Sequence, residues 1–546
     1  MPTIEISKKD LEKLLGKKLS EEELKEKAAL FVKGEIEAIE NDAIKIELKD
    51  TTRPDLWSVE GIARELAGLY EIQKGLPKFK VYKSNVCVQV DPKLKGIRPK
   101  GAYAIAKGIK VTERLLEQLI QLQEKLCETF GRKRREVAIG IFDYDKVEGN
   151  LRYYAAKPET EFVPLGFSEK MSLKEILAKH PKGIEYGKLL EGKQRFPLLV
   201  DSNNEVLSMP PIINSEYSGK VTTETKNLFV DVTGFNQELI NMALEIVCAA
   251  LHDRGARIES VTVNYGEEKI VTPEFKARKI KVPLKLIERT IGESIAANKL
   301  KRFIEMKRMN CTLKKNCIIA EYPSYRADVL HPIDVVEDVL IAMDYNSITP
   351  EAVKLPCTGS ELAERKTCNA VREVCIGMQL QEVLTFTLTS KEKQQAKMLL
   401  PEQEFVELEN PLSSEYAVFR KSIVPELLDF LAKNKHCEYP QKIFEVGKVV
   451  HLNEKKETKV DERNVVCIAL SGKDASFNEI KAHLDALCKA LSWRYEIKRA
   501  EHASFKSGFC AMIKIGERLG VIGEINENVL KNFGLKMPVA VLEVEL

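Results

Sequence analysis

Four carboxylates crowd one short stretch of the chain, Tyr325-Arg-Ala-Asp-Val-Leu-His-Pro-Ile-Asp-Val-Val-Glu-Asp-Val. Pro332 suits the first turn of a helix, which puts Asp334, Glu337 and Asp338 at i, i+3 and i+4 on one face. Asp328 lies on the extended segment leading in. Like charges this close repel unless a cation sits among them. All-oxygen donors favour a hard ion, magnesium or calcium, over zinc. The same residues also read as an acidic first turn favoured by the helix macrodipole, and spacing alone favours that plainer reading.

A second constellation is Met209-Pro-Pro-Ile-Ile-Asn-Ser-Glu-Tyr-Ser-Gly-Lys, followed by Thr222-Thr-Glu-Thr and Asp231-Val-Thr233. Two prolines stiffen the loop, while Asn214, Ser215, Ser218, Asp231 and Thr233 offer short polar groups that suit a sugar or amino-acid headgroup. No His or Cys lies inside it, so it holds no nucleophile–base pair. Turn and cap roles account for the same residues equally well. A third stretch, Glu409-Asn-Pro-Leu-Ser-Ser-Glu, leads to Arg420, suited to a carboxylate or phosphate, although a lone Arg more often forms a surface salt bridge. The glycines from Gly516 to Gly523 lack phosphate-loop spacing.

The elements that must position these groups are legible in outline. Residues 1–80 open with helical spacing at Leu11, Leu14 and Leu15 and an N-cap at Ser20, followed by the alternating strand Ala43–Leu48. Ser58 caps a helix bearing Ile62, Leu66 and Leu69. Residues 85–265 read as an α/β module with strands at Val86–Val90, Val137–Phe142 and Leu228–Gly234. Helices are expected near Thr112–Phe130 and Asn236–Asp253, with the basic run Arg132-Lys-Arg-Arg between. Residues 270–346 mix strands and helices, and 355–546 form a last α/β domain with strands at Val383–Leu388, Lys442–Val446, Val465–Leu470 and Val539–Val544.

The chain has 546 residues, which at roughly 100–200 residues per domain implies three to five domains. Lys+Arg 85 against Asp+Glu 82 leaves +3, so no global basic field points to nucleic acid and any RNA contact must be local or come from a partner. No apolar run approaches the ~20 residues needed to span a bilayer. The start lacks a basic n-region and apolar h-region. The 12 cysteines are scattered without metal spacing. A cytoplasmic, membrane-free chain is expected.

Several long motifs in collinear order resemble the β chains of phenylalanyl-tRNA synthetase, of the archaeal and eukaryotic cytoplasmic type. They are Thr52-Arg-Pro-Asp-Leu with Gly61-Ile-Ala-Arg-Glu-Leu-Ala, Val137-Ala-Ile-Gly-Ile-Phe-Asp, Pro210-Pro-Ile-Ile-Asn-Ser-Glu-Tyr-Ser, Tyr322-Pro-Ser-Tyr-Arg-Ala-Asp, Asn410-Pro-Leu-Ser-Ser-Glu and Gly523-Glu-Ile-Asn. The resemblance implies a multidomain α/β (α+β) protein. Its parts would be an N-terminal domain (1–80), a tRNA-editing module (85–265), a small metal-binding module of winged, DNA-binding-like fold (270–346) and an inactive class II synthetase-like antiparallel domain (355–546).

It also implies an enzyme of two α and two β subunits that charges tRNA(Phe) through an adenylate, with ATP and phenylalanine bound by α. Carried over by motif, Asp328, Asp334, Glu337 and Asp338 match the family's magnesium ligands, which reverses the plainer reading above. The loop residues Asn214, Ser215, Ser218, Asp231 and Thr233 then form the pocket that hydrolyses mischarged tyrosyl-tRNA. Arg420 could stand where a class II enzyme holds ATP, but Gly520-Val-Ile-Gly-Glu-Ile-Asn carries no second arginine, so 355–546 should be structural. The other reading is a non-catalytic RNA-binding or scaffold protein built from these modules. A free-standing hydrolase of mischarged tRNA would leave the last domain unnecessary.

Overall fold

In a computed structural model the described residues are 2–353 and 357–546, so Met1 and the expected boundary at residue 355 lie outside them. The chain divides into two units, Met1–Glu351 and Ala352–Leu546. Among the described residues no helix is long and apolar enough to cross a membrane.

The first unit opens with a three-stranded antiparallel sheet in which Ala43–Leu48 lies between Thr3–Ser7 and Gly34–Glu40. Ile44, Ile46 and Leu48 alternate inward from the central strand. The Ser58 hydroxyl accepts from the Gly61 amide and starts helix Val59–Leu69, which buries Ile62 and Leu66. These residues share one core with helices Glu113–Lys125 and Gln237–Asp253. The hydrophobic core therefore runs through the break expected at residues 80–85, because a short sheet and one helix cannot bury their apolar faces alone.

A ten-stranded mixed sheet follows. Its order is Ile213–Asn214, Val206–Met209, Phe196–Val200, Leu151–Ala156, Val81–Val90, Arg257–Asn264, Lys100–Lys107, Leu228–Gly234 and Val137–Asp143, with Lys269–Thr272 added beside Arg257–Asn264. Thr112 and Asn236 cap the two long helices through their side chains. Residues Arg278–Met343 form three antiparallel strands and three helices around a core of their own.

The second unit is a seven-stranded sheet, antiparallel except where Gln381–Glu382 joins Gln441–Leu452. Helices Val424–Lys433 and Glu527–Phe533 share one core with it, while Ala363–Gly377 and Phe477–Ala490 share the other. The strand expected at Val383–Leu388 does not form. Gln381–Glu382 and Leu388–Thr389 pair with different partners, and the segment between leaves Leu384 and Phe386 87% and 72% exposed. Its apolar alternation imitates a strand, but the apolar side faces out.

Within the first unit, helices Val59–Leu69, Ala297–Met306 and Pro332–Met343 meet at buried charges. Arg53 pairs with Asp55 (2.8 Å) and Glu65 (3.2 Å), and Lys307 with Glu65 (2.6 Å) and Asp338 (3.7 Å). Arg326 binds Asp328 at 2.6 Å and Asp338 at 2.7 Å. The Lys307 ammonium also donates to the Phe31 carbonyl at 3.1 Å and lies over the Phe31 ring. Breaking a buried pair strands the remaining charge, which costs about 3–5 kcal/mol. Lys307→Met should lower the stability of the chain by that amount in urea unfolding. A loss below about 1 kcal/mol would show that the pairs contribute little.

Candidate functional site

Strand Leu228–Gly234 is buried along its whole length between Lys100–Lys107 and Val137–Asp143. Leu228, Val230 and Val232 join the core that includes helix Gln237–Asp253, and their alternation sends Phe229, Asp231 and Thr233 to the opposite face. Asp231 and Thr233 border a cavity of about 340 Å³ that reaches round the edge strand Val137–Asp143 to the core face, where Leu116, Leu119, Ile139 and Ile141 wall it. The loop after Met209 closes it, because its turn Glu216–Gly219 packs on edge strand Val137–Asp143. The space is mainly apolar and suits one amino-acid side chain and its headgroup.

Asp231 is the polar centre of this cavity and is 3% exposed. Burial pushes its carboxyl from an ordinary 3.8 up to about 7, although the Gly140 amide, the Arg98 guanidinium and the Ser208 hydroxyl pull the other way. Gly140 faces Asp231 across the strand pair, and a Cβ there would stand 2.1 Å from Asp231 Oδ1. The glycine thus clears space for the carboxylate. Thr233 Oγ1 accepts from Arg98 Nε at 2.9 Å, and the Thr233 carbonyl accepts a second bond from the same guanidinium.

The structure separates the five loop and strand residues expected to act together. Asn214, Asp231 and Thr233 line the cavity, whereas Ser215 and Ser218 do not. Ser215 caps the turn Glu216–Gly219 through its hydroxyl, which also lies 3.1 Å from that of Ser218. In this structure both hydroxyls engage the turn that shapes the loop, a local structural role. Ser208, Gly140, Arg98 and Arg134 belong to the site and escaped the sequence reading. A glycine inside an apolar strand and the basic run at 132–135 were the available signals.

The four carboxylates at 328–338 do not converge on a cation site. Both Asp328 oxygens accept from Arg326, at 2.7 and 2.6 Å, and Asp338 accepts from Arg326 at 2.7 Å. Asp334 accepts the amides of Leu330 and His331 and so caps helix Pro332–Met343. Glu337 points outward to Lys33 at 2.9 Å. Burial works to raise the Asp328 pKa, but Arg326 and Arg53 outweigh it and hold the carboxyl below its ordinary value. Among the described residues no group of three metal-binding side chains gathers. Arginines and a lysine already supply the positive charge expected of magnesium, so the expected four-carboxylate site is not formed within this chain.

Three family models match consecutive parts of the chain: "B3/4 domain" at residues 111–248, "tRNA synthetase B5 domain" at 280–345 and "Phenylalanyl tRNA synthetase beta chain CLM domain" at 348–546. The chain is 46% identical to the phenylalanine–tRNA ligase β subunit of Pyrococcus horikoshii, covering 100% of this chain and 99% of that one. It is likewise 46% identical to the Thermococcus kodakarensis subunit (100% and 98% covered) and 38% identical to that of Archaeoglobus fulgidus (94% and 92%). A crystal structure of an N-terminal fragment of the Pyrococcus horikoshii β subunit superposes with a TM-score of 0.61 at 48% identity, covering 63% of this chain and 99% of the fragment.

The Asp231 environment has a measurable consequence. Between pH 3.8 and about 7 the folded chain holds a proton that the unfolded chain has released. The Asp231 contribution to stability is therefore fully present below that window and is lost as pH rises through it, by about 1.4 kcal/mol per pH unit, until it levels off. Asp231→Asn removes this contribution. The stability difference between variant and parent should grow in the variant's favour from pH 4.5 to pH 7.5. A difference that stays flat over that range would place the Asp231 carboxyl at an ordinary value.

Proposed function

We propose the function on one premise: the chain belongs to the family of phenylalanine–tRNA ligase β subunits. It acts with an α subunit, in a complex of two α and two β chains, to attach phenylalanine to tRNA(Phe), with ATP and phenylalanine bound by α. Residues 85–265 edit mischarged tyrosyl-tRNA(Phe), residues 270–346 connect, and 355–546 serve assembly rather than adenylate chemistry.

The editing reading is carried by one observation, a buried carboxyl at the centre of an apolar cavity. Tyrosine adds only a hydroxyl to phenylalanine, and a hydrophobic synthetic site rejects that addition by only about a hundredfold. A second site that hydrogen-bonds the hydroxyl discriminates far better. Asp231 reads the phenol, Thr233 stands beside it, and Asn214 at the loop side holds the ribose end and a water. Ser208 donates its hydroxyl to Asp231, and among the described residues no His or Cys lines the cavity, so water attacks the ester carbonyl and the ribose hydroxyl leaves.

The assembly role of 355–546 is supported by Arg420. It is buried, pairs with Glu445 at 2.8 Å, and donates to Thr385 Oγ1 and the Lys448 carbonyl, leaving no free charge for a triphosphate. Exposed Leu384 and Phe386 give an apolar surface for the partner. Among the described residues magnesium has no complete ligand set.

Two measurements test this reading. In the complex, Asn214→Ala with Asp231→Ala should let tyrosyl-tRNA(Phe) accumulate, and clearance of preformed tyrosyl-tRNA at the parental rate would place the pocket elsewhere. The β chain alone should support no phenylalanine-dependent ATP–pyrophosphate exchange. Exchange by β free of α would overturn the assembly role.

A further inference from the structure

Arg134 is a cation without a carboxylate. Among the described residues no acidic oxygen lies within 4.0 Å of it. Its Nη1 donates to the carbonyls of Pro211 (3.1 Å) and Ile212 (2.8 Å), and its guanidinium carbon lies 4.2 Å from the centre of the Tyr186 ring. Its Nε is buried and has no hydrogen-bond partner. A partly buried guanidinium held only by neutral groups is short of an anion.

The position of Arg134 says which anion. It borders the cavity that holds Asp231 and also a neighbouring groove of about 480 Å³. Nearby acids on the groove wall are engaged: Glu128 accepts from the Tyr186 hydroxyl, and Glu185 pairs with Lys182. Glu124 stands exposed at the rim. The backbone is strained to present this side chain, since Arg132, Lys133 and Arg134 have φ of 50°, 54° and 63°, a region L-residues avoid. Arg98, 2% exposed, steadies the turn by donating to the carbonyls of Arg134 and Arg135 while its other nitrogens hold Thr233. One buried arginine thereby ties the turn to the strand that carries Asp231.

We propose that Arg134 binds a phosphate of the RNA 3′ end at the neck between the two spaces, with the aminoacyl group in the Asp231 cavity and the preceding nucleotide in the groove. This rests on the editing reading. An ester on the terminal ribose must lie within a few bonds of the nearest phosphodiester, so a substrate whose side chain reaches Asp231 leads its phosphate out past the cavity mouth. Arg134 stands there with no carboxylate partner among the described residues.

The test uses the complex and two substrates, tyrosyl-tRNA(Phe) and 3′-O-tyrosyl-adenosine, which keeps ester and base but has no phosphate. Arg134→Gln should raise KM for tyrosyl-tRNA by about tenfold with kcat little changed. The dependence of that KM on salt should flatten by about 0.7 in log–log slope, the share of one single-strand phosphate. The loss on tyrosyl-tRNA should exceed any loss on the adenosine ester by about tenfold, because the ester shares the cavity wall and loop contacts of Arg134 but not the phosphate. Arg134→Lys should recover part of the KM, because charge remains while the fork is lost. A parental KM for tyrosyl-tRNA, or equal losses on both substrates, overturns the phosphate assignment and leaves editing standing. Failure of the parent complex to hydrolyse either substrate overturns the editing reading, and this inference with it.

Discussion

The N-terminal unit depends on a buried set of charges that have no second place to go. Arg53, Lys307 and Arg326 meet Asp55, Glu65, Asp328 and Asp338, three cations against four carboxylates drawn from segments about 280 residues apart. Such a set adds little net stability compared with apolar packing, but each member is costly to leave alone. That asymmetry selects one arrangement of three helices, since any other strands a charge. Gly68 shows how closely they approach: a Cβ on it would stand 1.8 Å from the Met306 carbonyl oxygen. The same set governs the question of magnesium. The ion demands near-octahedral oxygen ligands, and it would have to displace a guanidinium bound through two bonds to take Asp328, or through one to take Asp338.

In the ten-stranded sheet the two faces do different work from one strand. Even-numbered residues of Leu228–Gly234 fix the strand against an apolar core, so the odd-numbered ones are positioned without contributing to that core. A carboxylate can then be held in a dry cavity at a cost met by the packing behind it. Gly140 is the complementary device, a missing side chain where a carboxylate needs room. Arg98 extends the same logic outward. Among the described residues it has no carboxylate partner and spends its donors on carbonyls and one hydroxyl, making rigid a region where strand, turn and loop meet.

What the sequence disclosed follows from the range of the forces involved. Helix caps at Ser58, Thr112 and Asn236 act within four residues, and each is visible as a polar residue before an apolar period. The strands at 43–48 and 228–234 announce themselves by pattern. The carboxylate cluster reads as a cation site because a window of sequence hides its partners in space: Arg326, just before Asp328, also reaches Asp338, while Lys33 is about 300 residues from Glu337 and Lys307 is 31 positions before Asp338. Ser215 and Ser218 look like site groups for the opposite reason, since a cap and a ligand-holding hydroxyl have the same composition and differ only in which way the oxygen points. The Val383–Leu388 segment shows that alternation records a two-faced ribbon and not which face is buried.

The proposed editing pocket gains selectivity from the same feature that makes it costly to build. A carboxyl raised to about 7 sits near its midpoint at neutral pH, so a hydrogen bond offered by a phenol tips it toward the ionised, accepting form. Tyrosine therefore stabilises the charged state that burial opposes. Phenylalanine offers nothing, and its ring entering the cavity would leave the carboxyl desolvated and unpaired. A site built to bond a hydroxyl rejects the analogue lacking it by roughly 10⁴–10⁵, whereas a pocket built for the bare ring rejects the hydroxyl by only about 10². The two sites are thus unequal sieves by physical necessity. On the proposed reading the β chain holds the stricter one, and the correctly charged tRNA survives because a buried carboxylate has no partner for it.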